Sequence, residues 1–495
     1  MNNMKNRICI GIAILILLSL GSCNSFLDIK PEGELVQDEQ FKDVQGYRDA
    51  MYGIYASMAQ EKLYGMMMNW GLVDVLGQQF GDEYGLFADA SEGGTASKYA
   101  YIKYASVYNY KDQRMEEQIE SVWTKLYECI SYVNNVIVNI DKENLNKDPD
   151  LKLIKGEAYA VRAFLHFEVM RLFCDNYRMN PNAGGIPYAY TFDLSNKKVY
   201  TLAQCYDNVL ADLDEAIYNL AADGDIYNTE ILDAYHKKRY SHCNLYATWA
   251  IKARVFYTKG DLDSAAYYAE KVIISQEVGL TGRQNFDRVK RYGTHTELLW
   301  GVFTNKMYTD YKELFLKSVV TLNASQRADI KAVYEVSQFT ADSKDLRYTS
   351  FFQDKGYEGH LFVRFLNPTE AASNKPTLYF NGTCLIRLPE MYYILAEATY
   401  LKNRDKALGY LNAVRGSRGL ADIEVSLVDT QDKFLKEMTR ERMREFYGEG
   451  QMISFYKCNN LGFRDFQNKV DVVPSKDIFV LPWPKSEQEY GVTNQ

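Results

Sequence analysis

Apolar residues recur every three to four positions over the first and last thirds of this chain, the period of an amphipathic helix. From Val44 to Met58, Tyr47, Met51, Ile54 and Tyr55 fall on one side of such a helix. Glu116 to Ile140 repeats the pattern with Ile119, Val122, Trp123, Leu126, Ile130 and Val133. Leu153 to Phe173 and Thr201 to Leu220 are the next two predicted helices, and Gly184-Gly185-Ile186-Pro187 breaks the pattern between them. Leu245 to Ser275 predicts two antiparallel helices. Trp249, Ala253 and Phe256 line the first, Gly260-Asp261 turns the chain, and Ala265, Ala269 and Val272 line the second. Small alanines opposite large aromatics let the two helices approach closely, as in a tetratricopeptide repeat of roughly 34 residues. Met391 to Val414 echoes this more weakly through Ala396, Ala398, Ala407 and Leu411. Such pairs bury their faces only against neighbours, so about four stacked pairs are expected.

Two stretches lack the period. Tyr64 to Tyr110 is rich in Gly and Tyr and ends in SKYAYIKYASVYNY. The second runs from Thr281 to about Thr383 and carries β-like runs, ELLWGVF (Glu297 to Phe303) and GHLFVRF (Gly359 to Phe365). The expected architecture is mostly α, a tetratricopeptide-like helical-pair scaffold over roughly 35–60, 114–275 and 385–457 with long loop and short-strand insertions over roughly 61–113 and 281–384. Binding commonly sits on such insertions.

The N-terminus adds an address. Lys5 and Arg7 precede an apolar run of 13 residues, Ile8 to Leu20, the basic and apolar regions of an export signal. A helix needs about 20 residues to cross a bilayer, so this run reads as a removable leader. Leu20-Gly21-Ser22-Cys23 follows and looks like a bacterial lipobox, which makes residues 1–22 the signal and Cys23 the acylated first residue of a single domain, 23–495. Six of the eight cysteines then remain, Cys129, Cys174, Cys205, Cys243, Cys384 and Cys458. They form no CxxC pair, which argues against a zinc or redox motif and for buried thiols.

Charge narrows the partners. With 57 basic and 65 acidic residues the net charge is −8, which argues against nucleic acid. Forty Tyr, 24 Phe and 5 Trp are more aromatic surface than a core alone calls for, and exposed tyrosines suit a binding surface.

Five stretches, in order behind the lipobox, together resemble the SusD/RagB family of surface lipoproteins. They are SCNSFLDIKPEGE (Ser22 to Glu34), GEAYAVRAFLHFEVMRLFCDNY with GGIPY (Gly156 to Tyr188), LIRLPEMYYILAEATY (Leu385 to Tyr400), LNAVRGSRGL with ERMREFYGEGQMISFYK (Leu411 to Lys457), and VLPWPKSEQEYG (Val480 to Gly491). The resemblance implies a lipid-anchored outer-membrane protein exposed at the cell surface, which captures glycan and passes it to a SusC-like TonB-dependent transporter. It equally includes peptide-binding, RagB-like relatives. A surface glycosidase and a ligand-free helical adaptor are the competing classes.

No HExxH, GxSxG, Walker or GxGxxG motif occurs, and His236 and His242 stand too far apart for one helical face, so neither an enzyme nor a metal or cofactor is expected. A sugar ring presents apolar C–H faces and a hydroxyl edge, which aromatic rings and polar side chains can cover. The candidate contacts are Asn69, Trp70, Asp74, Asp82, Tyr84, Tyr99, Tyr101, Tyr104 and Tyr108 in the first insertion and Trp300, Tyr308 and Tyr311 in the second. Trp123 and Trp249 are expected in the core. Arg162, Glu168 and Arg171 could pair along their helix, Glu168 with Arg171 at i,i+3, and Glu441, Arg442, Arg444 and Glu445 could do likewise; both sets are expected on a solvated charged face, with bracing of the helix stack or its transporter partner as the alternative.

Overall fold

A computed structural model of the chain describes residues 37–80, 98–193, 195–227, 230–231, 233–283, 295–303, 330–335, 345–354, 360–362, 364, 382–465 and 469–490. The chain forms two compact units, residues 1–46 and 47–495. In the first, Gln37–Gln40 is a short helix, and the Asp43 carboxylate accepts the Gly46 N–H (3.0 Å) where helix α1 (Val44–Met58) begins.

The second unit is mostly helical. Its long helices are α2 (Gln113–Ile140), α3 (Pro149–Phe173), α4 (Leu202–Asn219), α5 (Leu245–Lys259), α6 (Leu262–Ser275), α7 (Leu388–Tyr400) and α8 (Arg404–Ser417). From α2 to α8 each packs on the next in chain order. The predicted helices are all present, and their starts are set by caps. Helix α2 begins ahead of Glu116 because Asp112 accepts the Arg114 N–H (3.0 Å). Helix α3 begins at Pro149, with Asp148 accepting the Asp150 N–H (2.9 Å), the placement proline favours. The predicted turn between α5 and α6 is formed by Gly260, at φ +95°, and by Asp261, which caps α6 through the Ser264 N–H (3.1 Å). Ala247, Ala250 and Ala253 on α5 and Ala265 and Ala269 on α6 are fully buried. Gly156 does the same service between α3 and α4: a Cβ there would stand 2.6 Å from Leu220 Cγ.

The strands are short antiparallel pairs. β1 (Gly184–Pro187) pairs with β2 (Val199–Thr201), and β3 (Leu298–Phe303) pairs with a later strand, Gly382–Arg387, closing the base of the second insertion. Within that insertion Phe352–Asp354 pairs with His360–Phe362. The first insertion is more helical than the sequence suggests. It contains a π-helical turn (Met67–Gly71) and the short helices Val73–Leu76 and Tyr101–Ser106.

The C-terminal charges are not solvated. Helix α9 (Gln431–Glu445) turns Glu441 and Glu445 inward, where both are fully buried. Glu445 accepts from Arg387 (2.8 Å), Arg418 (2.8 Å) and Arg347 (3.2 Å), and Glu441 accepts from Arg347 (3.0 Å) and Arg444 (2.9 Å). Arg418 also holds Glu297 (2.8 Å) beside β3. The predicted Glu168–Arg171 pair on α3 forms (2.6 Å) and is buried as well. The six cysteines of the described residues are all free and buried. No helix among the described residues is long and apolar enough to cross a membrane.

Candidate functional site

The structure separates the predicted contacts into two groups. Asn69, Trp70, Asp74, Tyr99 and Tyr101 are each no more than 2 % exposed, and Trp300 is fully buried. Expected as ligand contacts, these six side chains are instead buried. The cause is local: MMMNWGLVDVL is apolar on every side, and a helical stretch of that kind is buried all round. Asn69 donates to the Tyr64 carbonyl (2.6 Å) and to Thr383 Oγ1 (2.9 Å), which ties the first insertion to the base of the second. Tyr101 donates its hydroxyl to the Gly71 carbonyl (2.7 Å). Trp300 packs edge-on against Phe164 and Tyr55, with centroids 4.8 and 6.3 Å away. Asp74 accepts the Gly450 N–H (3.0 Å), and burial pushes its carboxyl well above the ordinary range.

Tyr104 stays half-exposed. Its hydroxyl accepts from Arg114 Nη1 (3.2 Å), and the same guanidinium lies 5.6 Å from its ring centroid. Tyr108 is half-buried. Asp82, Tyr84, Tyr308 and Tyr311, like Cys23, lie outside the described residues.

Arg114 opens a hollow of about 530 Å³. One wall is the turn after α1, with Glu61, Lys62 and Met66; the other is the first turns of α2, with Gln113, Arg114, Glu117 and Gln118; Lys98 and Tyr101 complete it. Lys98 pairs with Glu61 (2.7 Å), Lys62 donates to Gln118 (3.2 Å), and Gln113 donates to Glu117 (3.1 Å). Three cations, two carboxylates and two amides thus face one space, and the Lys62–Gln118 bond joins its two walls. Exposed pairs of this kind are worth about 0–1 kcal/mol each, so their groups can exchange partners for a ligand's hydroxyls at little cost. The sequence reading missed them because α2 was assigned wholly to the scaffold. The signal was the polar run QRMEEQ at its start, opposite Glu61-Lys62.

Glu157, buried in α3, accepts from Tyr55 (2.7 Å) and Arg239 and faces His242 (3.2 Å); burial would raise its carboxyl, but Arg239, His242 and the Tyr55 hydroxyl together hold it down at about 2. Among the described residues no group of three or more His, Cys, Asp or Glu could hold a metal ion.

Comparison with known proteins places the chain and its fold. A SusD-like family model, described as starch-binding and associating with the outer membrane, matches residues 25–256, and the SusD family model matches residues 245–454. SusD-like protein P2 of Formosa agariphila is 26% identical over 525 aligned positions, covering 96% of each chain. Among solved structures, a SusD-like carbohydrate-binding protein of Bacteroides vulgatus superposes with a TM-score of 0.67 at 17% identity, covering 90% of this chain and 96% of that one. A laminarin-binding SusD-like protein superposes with a TM-score of 0.65 at 16% identity, covering 91% and 98%. At these identities the two structures speak for the shared fold.

Proposed function

The chain belongs to the SusD family, and from that premise we propose that it is a lipid-anchored, cell-surface carbohydrate-binding protein that hands oligosaccharide to a SusC-like TonB-dependent transporter. The carrying observation is the hollow at the foot of the first insertion, where donors and acceptors of hydrogen bonds meet beside the half-exposed ring of Tyr104. Arg114, Glu117 and Gln118 pair with sugar hydroxyls, and Tyr104 covers a ring face. Asp82, Tyr84 and Tyr308 are proposed as further contacts on the sequence alone, since they lie outside the described residues. Asn69, Trp70, Asp74, Tyr101 and Trp300 hold these elements in place from below. The names of relatives point to the same ligand class. Capture needs modest affinity and a preformed surface, with no bond made or broken.

Calorimetry with a panel of glycans and peptides on the chain from residue 24 tests this reading. A saccharide is expected to bind. Arg114→Ala weakens it about ten-fold or more, because a hydrogen bond to a charged group contributes about 1.5–3 kcal/mol, and Tyr84→Ala also weakens it. Binding of peptides alone, or turnover of a glycan, overturns it.

A further inference from the structure

A second concavity lies beyond the helix Tyr101–Ser106. Three stretches that are far apart in sequence wall it: 108–111 at the end of the first insertion, Asp175 with Ala183–Gly185 after α3, and the closing segment from Lys476 to Gln488. Its volume is about 750 Å³, within the range of about 300–1,000 Å³ typical of small-molecule sites.

The walls combine ring faces with polar groups. Trp483 packs on Trp123 (centroids 5.1 Å apart) and, being only half-buried, presents the rest of its indole to the groove. Tyr108 and Tyr110 also line it, anchored through their hydroxyls: Tyr108 donates to the Leu76 carbonyl (3.1 Å) and Tyr110 to the Ile478 carbonyl (2.7 Å). Their rings are thereby fixed before any ligand arrives. Tyr108 also sits at φ +57°, a left-handed conformation that a bulky side chain adopts only when its surroundings impose it, and such outliers gather at ligand sites. Two lysines, Lys111 and Lys476, and two aspartates, Asp175 and Asp477, line it, so neither sign of charge prevails, and Asn109 and Gln488 add amides. At Gly184 an added Cβ meets nothing within 4 Å, so this wall is open backbone.

We propose that this groove is a second carbohydrate subsite, which takes a neutral saccharide stacked on Trp483. Balanced charge disfavours ionic ligands, fixed aromatic faces suit C–H surfaces, and mixed amides and charged groups suit hydroxyls. The proposal rests on the carbohydrate reading above but uses none of the residues of the hollow.

The test is calorimetry and tryptophan fluorescence on the chain from residue 24, titrated with short oligosaccharides of laminarin, starch and xylan. Gly184→Trp fills the groove while leaving its packing in place; Trp483→Ala removes the platform; Arg114→Ala reports on the hollow. The wild-type chain is expected to take up one more saccharide than Gly184→Trp. Trp483→Ala weakens the groove event about two- to ten-fold, and the saccharide-dependent emission change is lost in Trp483→Phe. If a saccharide binds the wild type but Gly184→Trp and Trp483→Phe match it in stoichiometry and emission, the groove proposal fails and the hollow stands. If no saccharide binds the wild type, the carbohydrate reading itself fails. Should Trp483→Ala unfold by losing its contact with Trp123, Gly184→Trp decides alone.

Discussion

Single side chains in this protein show how burial overrides residue type. Asp74 is polar, yet it sits fully buried under the first insertion, where desolvation raises its carboxyl well above the ordinary 3.8. A raised acid holds its proton in the folded state. Its contribution to stability is present below the unfolded value and is lost as pH rises. Asp74→Asn keeps an oxygen for the Gly450 N–H and has no proton to lose. Its thermal midpoint is therefore expected above that of the wild type at pH about 8, with the gain shrinking to nothing near pH about 3; calorimetric melts at the two pH values measure it. His166 shows the converse. It is fully buried, stacks on Tyr188 (3.8 Å), accepts the Ala189 N–H at Nε2 (3.0 Å) and, since a carbonyl only accepts, must donate from Nδ1 to the Arg162 carbonyl (3.0 Å). Burial and the Arg162 charge lower its pKa to about 3, so it is a neutral structural ring.

At the scale of elements, the buried ion pairs join what the chain separates by long loops. Glu445 on α9 meets arginines from three other segments, Arg347, Arg387 and Arg418, and Glu297 reaches the same cluster from the start of β3. Breaking such a cluster leaves charges buried without partners, at a cost of about 3–5 kcal/mol. Glu445→Ala is expected to lose that much in urea unfolding. Burial works to raise both acids, but Arg347, Arg444 and Arg415 together lower Glu441 from 4.5 to about 2, and Arg418, Arg387 and Arg347 together hold Glu445 well below 4.5. A depressed acid contributes stability above its unfolded value and loses it as pH falls through the folded one. The melting temperature is therefore expected to drop gently below pH about 6.5, as His166 resists its proton, and steeply between about 4.5 and 2.

These elements also show what the sequence could and could not tell. Helical periods are local, so α1 through α8 were legible, and so was the β3 run. Burial of the insertion aromatics was not, because Trp70 in a continuous apolar stretch and Trp300 in a strand look alike whether they face core or solvent. The charges of α9 read as solvated because the arginines that meet Glu445, namely Arg418, Arg387 and Arg347, lie 27, 58 and 98 residues away in sequence. Of the candidate contacts, Tyr104 kept its exposure, whereas the polar groups beside it and the Trp483 groove depend on segments brought together only by the fold.

For the whole molecule the remaining question is what holds it at a membrane. Among the described residues no helix can span a bilayer, and the family associates with the outer membrane. The apolar run from Ile8 to Leu20 is too short for a stable span, and the anchor proposed above is acylated Cys23, which follows it in sequence. One acyl chain gives only marginal, reversible binding; two or three chains, each adding about 0.8 kcal/mol per buried methylene, hold a protein firmly. A tethered receptor searches a surface, which raises its effective concentration near a transporter far above that of a free one. Cys23→Ser therefore leaves the fold and its saccharide affinity unchanged but removes the tether. Expressed in its host, the variant is expected in the soluble fraction, without the palmitate label that the wild type incorporates, and growth on the captured glycan slows even though calorimetry on the purified chain shows normal binding. A variant that stays in the membrane fraction and still takes up palmitate would place the anchor at another residue.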